Sequence, residues 1–406
     1  MKTKSPIILV AALILLLQAC AVKKPTENKH KTNLDLAAVK IKLQNKNTYT
    51  FEKEQVFFSN NFPSARLNQL VKVNDSTFNI TIEAENRPIN PSAWFAFKVW
   101  GKPQKNVYIN LSYPSDRHRY QPKISTNGQQ WQTLAEVKVN KEKNEASFKL
   151  QLQKDTLTVA AQEIISSGQS YQWMNQLAKN YSLNKTTIGY SIGGKPIIAL
   201  NSTKSDGKKI VVVLSRQHPP EISGYMAMER FVETLLGNSK LAKNFIKNYE
   251  LVIVPMVNPD GVDEGNWRHS FGGVDLNRDW EFFKQPETRA VRDYLLNKIS
   301  KQNAKVEFAL DFHSTYNDVM YVNDDRSDTN RPGLMNVWIA SLHQFEGAVK
   351  TPVKPSGNGG NTSKAWFGRV LNAEAVTYEV GDNTPRDFLN EKAVRCADIL
   401  MAELLK

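Results

Sequence analysis

The chain has 406 residues, of which 41% are hydrophobic and 23% are charged, and its formal net charge at pH 7 is +13. This composition excludes a fully disordered chain and supplies enough apolar side chains for about two domains. The basic residues are not interleaved with aromatic residues as in a nucleic-acid interface, so we expect no nucleic-acid partner.

The first nineteen residues have the features of a secretory signal. Lys2 and Lys4 precede the run IILVAALILLL, which is too short to span a membrane comfortably, and an alanine stands before Cys20. A cysteine at this place resembles the lipobox of bacterial lipoproteins. The resemblance implies removal of residues 1–19, a lipid on Cys20, and an anchored protein in the bacterial cell envelope, on the periplasmic side or in the outer membrane. An ordinary signal peptide with an incidental cysteine is the alternative.

A polar, lysine-rich stretch follows, and residues 20–45 are predicted to be a flexible tether. The second of the two cysteines, Cys396, stands in the predicted last helix. If Cys20 carries lipid, Cys396 has no partner within the chain. We therefore expect no disulfide, no disulfide-linked partner, and a buried position for Cys396.

Residues 46–160 are predicted to form an antiparallel β-sandwich domain. Short β-rich runs such as TFNITIEAE, SAWFAFKVW and VYINLSYP are separated by turns that contain Asn, Gly, Pro and Asp. They contain no cluster of histidines or carboxylates with the spacing of metal ligands. This pattern favours a packing or positioning module over a reactive one.

Residues 165–406 change to an alternation of strands and helices. The apolar runs KIVVVL, ELVIVP, VEFALDF and EAVTYEV alternate with amphipathic segments. The predicted fold class is α/β, with a mixed, mostly parallel central sheet flanked by helices. In such folds the functional side chains collect beyond the carboxyl ends of the strands.

Histidines and carboxylates stand at the ends of three of these strands. His218 and Glu221 lie in HPPE directly after KIVVVL, His313 ends another strand in DFHS, and Glu379 lies in EAVTYEV. Two imidazoles and a carboxylate are a suitable set of ligands for Zn²⁺. A carboxylate in a buried strand is costly unless it is paired or functional, so a salt bridge remains the alternative for Glu379. A histidine and a glutamate three residues apart do not by themselves identify a metal site, because HQFE (residues 343–346) has the same spacing as HPPE.

Taken together, HPPE, NPDGV, NWR, GVDLNR, DFHS and TYEVGD resemble, in this order, the signature elements of the zinc metallocarboxypeptidases. The resemblance covers roughly residue 170 to the C-terminus. The forms GNWR and GVDLNR, and a preceding sandwich that contains SAWFAFKV, are most similar to the cytosolic carboxypeptidase subgroup. This resemblance implies a carboxypeptidase fold with one Zn²⁺ per chain. It also implies an enzyme that removes C-terminal residues from peptides through metal-activated water.

The resemblance also implies roles for single residues at the matching positions. These are His218, Glu221 and His313 as metal ligands, Glu379 as general base and acid, Arg268 as the group that stabilises the oxyanion, Asn277 and Arg278 as the clamp on the terminal carboxylate of the substrate, and Asp275 as the carboxylate that orients the first zinc histidine.

One departure from the family concerns a mobile tyrosine that many carboxypeptidases place shortly before the catalytic glutamate. Residues 356–372, SGNGGNTSKAWFGRVLN, contain no tyrosine. This stretch is expected to line the pocket for the last side chain of the substrate, and its basic residues are Lys364 and Arg369. We therefore hypothesise a preference for acidic C-terminal residues such as glutamate.

Two other functions remain open at this point. A peptidase that trims the stem peptides of peptidoglycan would use the same clamp on a free carboxylate. The other is a non-catalytic, peptide-binding envelope lipoprotein that has kept the fold of the enzyme without its activity. This hypothesis predicts that at least one metal-binding or catalytic residue has been replaced, but all the residues named above are present.

Overall fold

The computed structural model describes residues 38–324, 326–357 and 359–406. The predicted signal segment 1–19, Cys20 and the first part of the predicted tether lie outside the described residues. Within the described ranges, no helix is both long enough and apolar enough to cross a membrane.

The N-terminal part of the described chain consists of two β-sheets that share one hydrophobic core. Its strands are β1 (Thr48–Phe51), β2 (Val56–Ser59), β3 (Gln69–Lys72), β4 (Thr77–Thr81), β5 (Ala96–Gly101), β6 (Asn106–Ser112), β7 (Lys123–Ser125), β8 (Gln132–Thr133), β9 (Val137–Val139), β10 (Glu145–Gln151) and β11 (Leu157–Ala160). One sheet has the order β1-β2-β5-β11-β7-β8, and the other has the order β3-β4-β6-β10-β9.

Alternating burial explains why these short runs form a sandwich. In β6, Val107, Ile109 and Leu111 are fully buried, whereas the residues between them are at least partly exposed. This period of two directs one row of side chains into the core and the other towards solvent. The predicted antiparallel sandwich is confirmed, with one exception, because β4 and β6 pair in parallel.

Residues 38–45 do not behave as the flexible tether that their composition predicts. The backbone N–H of Lys40 donates to the carbonyl of Phe271 at 2.8 Å, and that of Lys42 donates to the carbonyl of Glu85 at 2.8 Å. Backbone groups make these bonds, so the polar, lysine-rich side chains gave no sign of them. The tether prediction is therefore wrong for its last residues.

The C-terminal part is an eight-stranded sheet with helices on both faces. Its elements are α1 (Ser167–Tyr181), β12 (Asn184–Tyr190), β13 (Pro196–Asn201), β14 (Lys209–Ser215), α2 (Ile222–Leu235), α3 (Lys240–Asn248), β15 (Glu250–Val254), α4 (Pro259–Glu264), α5 (Pro286–Gln302), β16 (Lys305–Thr315), β17 (Val319–Val322), α6 (Leu334–Glu346), β18 (Val353–Pro355), α7 (Ser363–Leu371), β19 (Glu374–Gly381) and α8 (Arg386–Leu404). A short 3-10 turn covers Leu276–Arg278. The strand order is β12-β13-β15-β14-β16-β19-β17-β18.

The four apolar runs singled out in the sequence, β14, β15, β16 and β19, form the parallel centre of this sheet. Their residues are buried on both faces, which explains their continuous apolar character. In β14, Val211 and Val213 face one helical layer, and Val212 and Leu214 face the other. The mixed, mostly parallel sheet predicted from the sequence is confirmed.

The register of the sheet brings chemical groups together at one edge. Strands β14, β16 and β19 run parallel, so their carboxyl ends meet, and His313 pairs directly with Glu379. This edge of the sheet is therefore where the side chains predicted to bind a metal and to transfer protons lie close together.

Cys396, the one cysteine among the described residues, has the buried position that the sequence predicts. Cys396 lies in α8 and is fully buried in the core between the helices and the sheet. Burial raises the pKa of its thiol to about 12, so the thiol stays protonated at neutral pH.

Candidate active site

His218, Glu221 and His313 meet at the carboxyl ends of β14 and β16. Nδ1 of His218 lies 2.7 Å from Oε1 of Glu221, and Nδ1 of His313 lies 2.8 Å from Oε2 of Glu221. The two Nδ1 atoms are 3.1 Å apart. In the described part of the chain, these residues form the single group of three His, Cys, Asp or Glu residues arranged to hold a metal ion.

A rigid turn presents the first two of these residues. Arg216 has a left-handed backbone with φ of 56°, and its buried side chain donates from Nε to the carbonyl of Pro219 at 3.2 Å. Its second amino group donates to the carbonyl of Ile165 at 3.1 Å. The chain then enters α2, with Glu221 as the residue before the first turn. The turn is therefore fixed by bonds to its backbone, whether or not a metal is bound.

Close contact between α2 and β16 brings Glu221 to His313. A Cβ atom on Gly224 would lie only 2.2 Å from the carbonyl oxygen of His313, so a larger residue does not fit here. The backbone N–H of Gly224 also donates to Oγ of Ser314 at 2.8 Å. Glycine at this position is thus a requirement of the site's geometry.

Each histidine is oriented by a second carboxylate. Nε2 of His218 lies 2.8 Å from Oδ1 of Asp275, and Nε2 of His313 lies 2.9 Å from Oδ2 of Asp311. A proton held on each Nε2 leaves the Nδ1 lone pair for a metal, which is the usual arrangement around zinc-bound imidazoles. Ligand atoms on a tetrahedral zinc stand roughly 3.3 Å from one another, close to the spacings observed here. The residues present therefore fit Zn²⁺.

The ionisation of the cluster agrees with this arrangement. Burial raises the pKa of Glu221, but the facing imidazoles outweigh burial and hold that pKa below its usual range. Burial lowers the pKa of His313, but the carboxylates of Asp311 and Glu221 raise it well above its ordinary value. The carboxylate of Glu221 thus stays ionised and stabilises positive charge beside it.

Glu379 lies beside this cluster on β19. Its Oε2 is buried and has no hydrogen-bond partner among the described residues. Burial, and then the negative charge of Glu221, raise the pKa of Glu379 to about 7. The salt bridge left open for Glu379 is absent from the ion pairs of the described residues. Its carboxylate is therefore poised for proton transfer near neutral pH.

A cavity of about 410 Å³ connects the predicted catalytic and substrate-binding residues. Its lining includes Glu221, Glu379, Arg268, Asn277 and Arg278. Glu221 brings the metal cluster to the wall of the cavity, and the two arginines supply positive charge on it. Groups suited to bind a metal, a proton and a carboxylate thus share one space.

Asp275 joins the side chain of Arg268 to the backbone of Asn277 next to this cavity. Nε of Arg268 donates to Oδ2 of Asp275 at 2.6 Å, and Oδ1 of Asp275 accepts from the backbone N–H of Asn277 at 2.8 Å. A terminal amino group of Arg278 donates to the backbone carbonyl of Asn277 at 2.8 Å. Asp275 therefore links the first histidine of the cluster to the loop that carries the arginines.

The two basic residues proposed for specificity have different places. Lys364 lines the cavity, but its ammonium group donates to Oδ1 of Asn323 at 2.7 Å and to the carbonyl of Ser356 at 2.8 Å. Burial lowers its pKa to about 8. Arg369 is not among the described residues that line the cavity, and it donates to the carbonyl of Gly360 at 3.2 Å. The expectation that Arg369 lines the pocket is therefore wrong, because its guanidinium group lies against Gly360 instead.

The structure also shows site residues that the sequence did not reveal. Asp311 escaped notice although it stands two residues before His313, a spacing that places both side chains on one face of a strand. Tyr321 lines the cavity from β17, outside the stretch searched for a tyrosine. Arg119 lines it from the sandwich and donates to Oδ2 of Asp382 at 2.7 Å. No local motif marks a residue that reaches the site from another domain.

Two parts of the chain match models of known families. A model described as zinc carboxypeptidase matches residues 170–351, and one described as cytosolic carboxypeptidase N-terminal domain matches residues 58–161. The part of the chain that holds the eight-stranded sheet is thus similar to the zinc carboxypeptidases, and the sandwich is similar to the N-terminal domain of the cytosolic carboxypeptidases.

Curated relatives of this chain are named cytosolic carboxypeptidases. It is 26% identical over 315 residues to cytosolic carboxypeptidase 3 of Mus musculus, a match that covers 68% of this chain and 31% of the mouse protein. It is 25% identical over 283 residues to cytosolic carboxypeptidase 6 of Caenorhabditis elegans, covering 63% of this chain and 62% of the relative. The chain thus spans less than two thirds of these relatives.

Solved structures show the same fold along most of this chain. A metallo-carboxypeptidase from Burkholderia cenocepacia has a TM-score of 0.70 at 20% identity and covers 86% of this chain and 98% of its own. A metallo-carboxypeptidase from Pseudomonas aeruginosa, in complex with (2-guanidinoethylmercapto)succinic acid, has a TM-score of 0.66 at 18% identity. That match covers 86% of this chain and 99% of the other. At these identities, the likeness establishes the fold.

Proposed function

We propose that the protein is a zinc-dependent carboxypeptidase that hydrolyses the last peptide bond of peptides with a free C-terminus. The observation that carries this proposal is the position of Glu379. Glu379, one of whose carboxylate oxygens is buried without a partner among the described residues, lines the same cavity as Glu221 of the metal cluster and Arg278. A base, a metal site and a carboxylate-binding group in one cavity are the parts that this reaction requires.

Zinc held by His218, Glu221 and His313 would supply the positive charge that acidifies a water molecule and polarises the scissile carbonyl. Glu379 then acts as the general base that accepts a proton from the attacking water, and afterwards as the acid that gives it to the leaving amine. Burial raises the pKa of Glu379, which strengthens it as an acceptor of that proton.

Two arginines on one loop supply the remaining charges. Arg268 would donate to the carbonyl oxygen as negative charge develops there, and its bond to Asp275 fixes its side chain beforehand. Arg278 would hold the terminal carboxylate of the substrate, because its planar guanidinium group suits bidentate binding of a carboxylate. Such a clamp selects free C-termini and makes the enzyme an exopeptidase.

Digestion of matched peptides tests this proposal. One peptide has a free C-terminus, and the second has the same sequence with an amidated C-terminus. We expect release of the last residue from the free peptide alone, loss of release after chelation of the metal, and recovery on addition of Zn²⁺. Cleavage of both peptides at equal rates, or turnover unaffected by the chelator, would contradict the proposal.

A preference for acidic C-terminal residues is the finer part of this proposal. Lys364 supports it, since its ammonium group borders the cavity in which the last side chain of the substrate would lie. The ammonium group already donates to Asn323, to Ser356 and to the carbonyl of Val322, so it would act on a substrate carboxylate through its positive charge. Charge complementarity at such a pocket acts mainly on specificity.

We further propose that the protein is exported and anchored by lipid on Cys20. The charged start, the short apolar run and the cysteine after an alanine support this, and they lie outside the described residues. Expression of the full chain in a bacterial host, followed by mass spectrometry of the N-terminus, tests it. A diacylated Cys20 in the membrane fraction is expected, and Cys20→Ala should abolish the lipid. An N-terminus without lipid would contradict the anchor.

A further inference from the structure

The loop that carries Arg268 is built into the sandwich domain. Trp267, the residue before Arg268, is fully buried and belongs to the hydrophobic core of the sandwich. Its indole Nε1 donates to the backbone carbonyl of Trp94 at 3.0 Å. A residue of the catalytic part thus completes the core of the N-terminal part, and the orientation of the loop depends on that core.

Arg66 of the sandwich fixes the start of the same loop. It is fully buried, and its Nε donates to the carbonyl of Gly265 at 2.6 Å. One of its terminal amino groups donates to Oδ1 of Asn266 at 2.9 Å. These bonds hold the two residues that precede Trp267.

Glu85 of the sandwich binds the centre of the loop. Its carboxylate, 1% exposed, accepts three successive backbone N–H groups, from Trp267 at 2.8 Å, Arg268 at 3.0 Å and His269 at 2.7 Å. Hydrogen bonds from N–H groups to an ionised carboxylate are stronger than neutral ones. Glu85 therefore fixes the backbone on both sides of Arg268.

We propose that Glu85 is a positioning residue for the reaction, acting through Arg268. Arg268 is held at two points, by Glu85 at its backbone N–H and by Asp275 at Nε. With both ends fixed, its guanidinium group meets the developing negative charge without first losing conformational freedom. This inference rests on the proposed function, and it gives the sandwich domain a role in catalysis beyond packing.

Steady-state kinetics of the full-length Glu85→Gln variant test the proposal. The amide keeps one acceptor but turns an NH₂ group towards a backbone N–H, so at least one of the three bonds is lost. We expect kcat to fall about ten-fold with KM within about two-fold, because Arg268 acts on charge that develops only in the transition state. Glu83→Gln is the matched control, since Glu83 is an exposed carboxylate two residues away, paired with Lys42.

A double-mutant cycle with Arg268→Ala separates positioning from general damage to the fold. Arg268→Ala alone is expected to lower kcat by about 10²–10³, as for the loss of an oxyanion donor. If Glu85 acts through Arg268, Glu85→Gln should then change kcat less than about two-fold in the Arg268→Ala background. Hydrogen exchange of the amides of residues 267–269 should be at least about ten-fold faster in Glu85→Gln than in the wild type.

These experiments distinguish a positioning role of Glu85 from a purely structural role and from failure of the proposed function. An equal loss of kcat from Glu85→Gln in both backgrounds would show that Glu85 serves the fold alone and would overturn the inference. Wild-type kinetics and exchange in Glu85→Gln would overturn it as well, while leaving the proposed function intact. An inactive wild-type protein that holds zinc would overturn the proposed function and, with it, the positioning role.

Discussion

Nδ1 of His218 lies 3.1 Å from Nδ1 of His313, although 95 residues separate them in the chain. Parallel pairing of β14 with β16 brings the two strand ends together, and the bend after β14 turns His218 back over them. Both imidazoles are buried and share the carboxylate of Glu221. A cation between them satisfies all three groups at once, so metal binding should contribute to folding as well as to chemistry.

The carboxylates behind the histidines should control zinc affinity. Asp311→Asn removes the negative charge from the group that accepts from Nε2 of His313, and Asp275→Asn does the same for His218. Substitutions of this kind typically weaken metal binding by about 10–100-fold. Competition with a chelating dye measures the affinity.

Asp155→Asn, at an exposed position in the sandwich, is the control and should bind zinc like the wild type. Zinc affinity unchanged in both Asp311→Asn and Asp275→Asn would contradict the arrangement of histidines described above.

Gly224→Ala should disturb the contact between α2 and β16. The added Cβ would lie 2.2 Å from the carbonyl oxygen of His313, so the helix must move away and carry Glu221 with it. Overpacking of this kind costs about 1–3 kcal/mol of unfolding free energy. Urea unfolding of the metal-free protein measures the loss, and zinc titration measures the separation of the ligands.

Gly359→Ala provides the matched control, since a Cβ there meets no described atom within 4 Å. Equal stability and zinc affinity in the two alanine variants would show that the helix and the strand are less closely packed than the structure indicates.

Glu287 should make stability depend on pH away from the active site. It is fully buried in α5, and its Oε2 has no partner among the described residues. Burial raises its pKa from 4.5 to about 8. Between these values the folded state keeps a proton that the unfolded state has released, so this group lowers the free energy of unfolding as pH rises through that window.

Replacement of Glu287 by glutamine removes this pH-dependent contribution to the free energy of unfolding. Relative to wild type, Glu287→Gln should gain about 3.5 kcal/mol of unfolding free energy between about pH 5 and pH 8. Urea unfolding at the two pH values checks this, with exposed Glu281→Gln as the control. A difference between Glu287→Gln and wild type that stays constant with pH would refute the assignment.

Lys364→Met should reduce a preference for acidic C-terminal residues. Loss of the ammonium group removes positive charge from the cavity, so kcat/KM for a peptide ending in glutamate should fall about ten-fold relative to one ending in leucine. Arg369→Met serves as the control, because Arg369 is not among the described residues lining the cavity. A wild-type enzyme that cleaves a peptide ending in lysine as well as one ending in glutamate would end the acidic hypothesis.

Much of the C-terminal part was predictable because short continuous stretches of its sequence indicate the strands and the residues at their ends. The apolar runs that became β14, β15, β16 and β19 have the continuous hydrophobicity of strands buried on both faces. A parallel sheet collects the residues at its carboxyl ends, so the positions of His218, His313 and Glu379 along the chain were enough to predict that they lie near one another. Their roles in binding and catalysis stay predictions.

The remaining features depend on contacts between distant segments. Glu85 and Arg119 stand in a domain without a metal-ligand pattern, and their importance comes from the loop and the strand end that they bind. Lys40 belongs to a stretch whose composition resembles a disordered tether, yet backbone bonds hold it in place. Patterns along the chain carry no sign of such partners.

The most direct measurement compares zinc content and peptide release in the wild type and in Glu379→Gln. Glu379 is not one of the three metal-binding residues, so both proteins should hold one zinc per chain. Loss of the base should lower kcat by at least about 10²-fold. Full zinc content with nearly abolished turnover in Glu379→Gln is the predicted result. Equal turnover in the two proteins, or a wild type that hydrolyses peptides without bound zinc, would contradict the account.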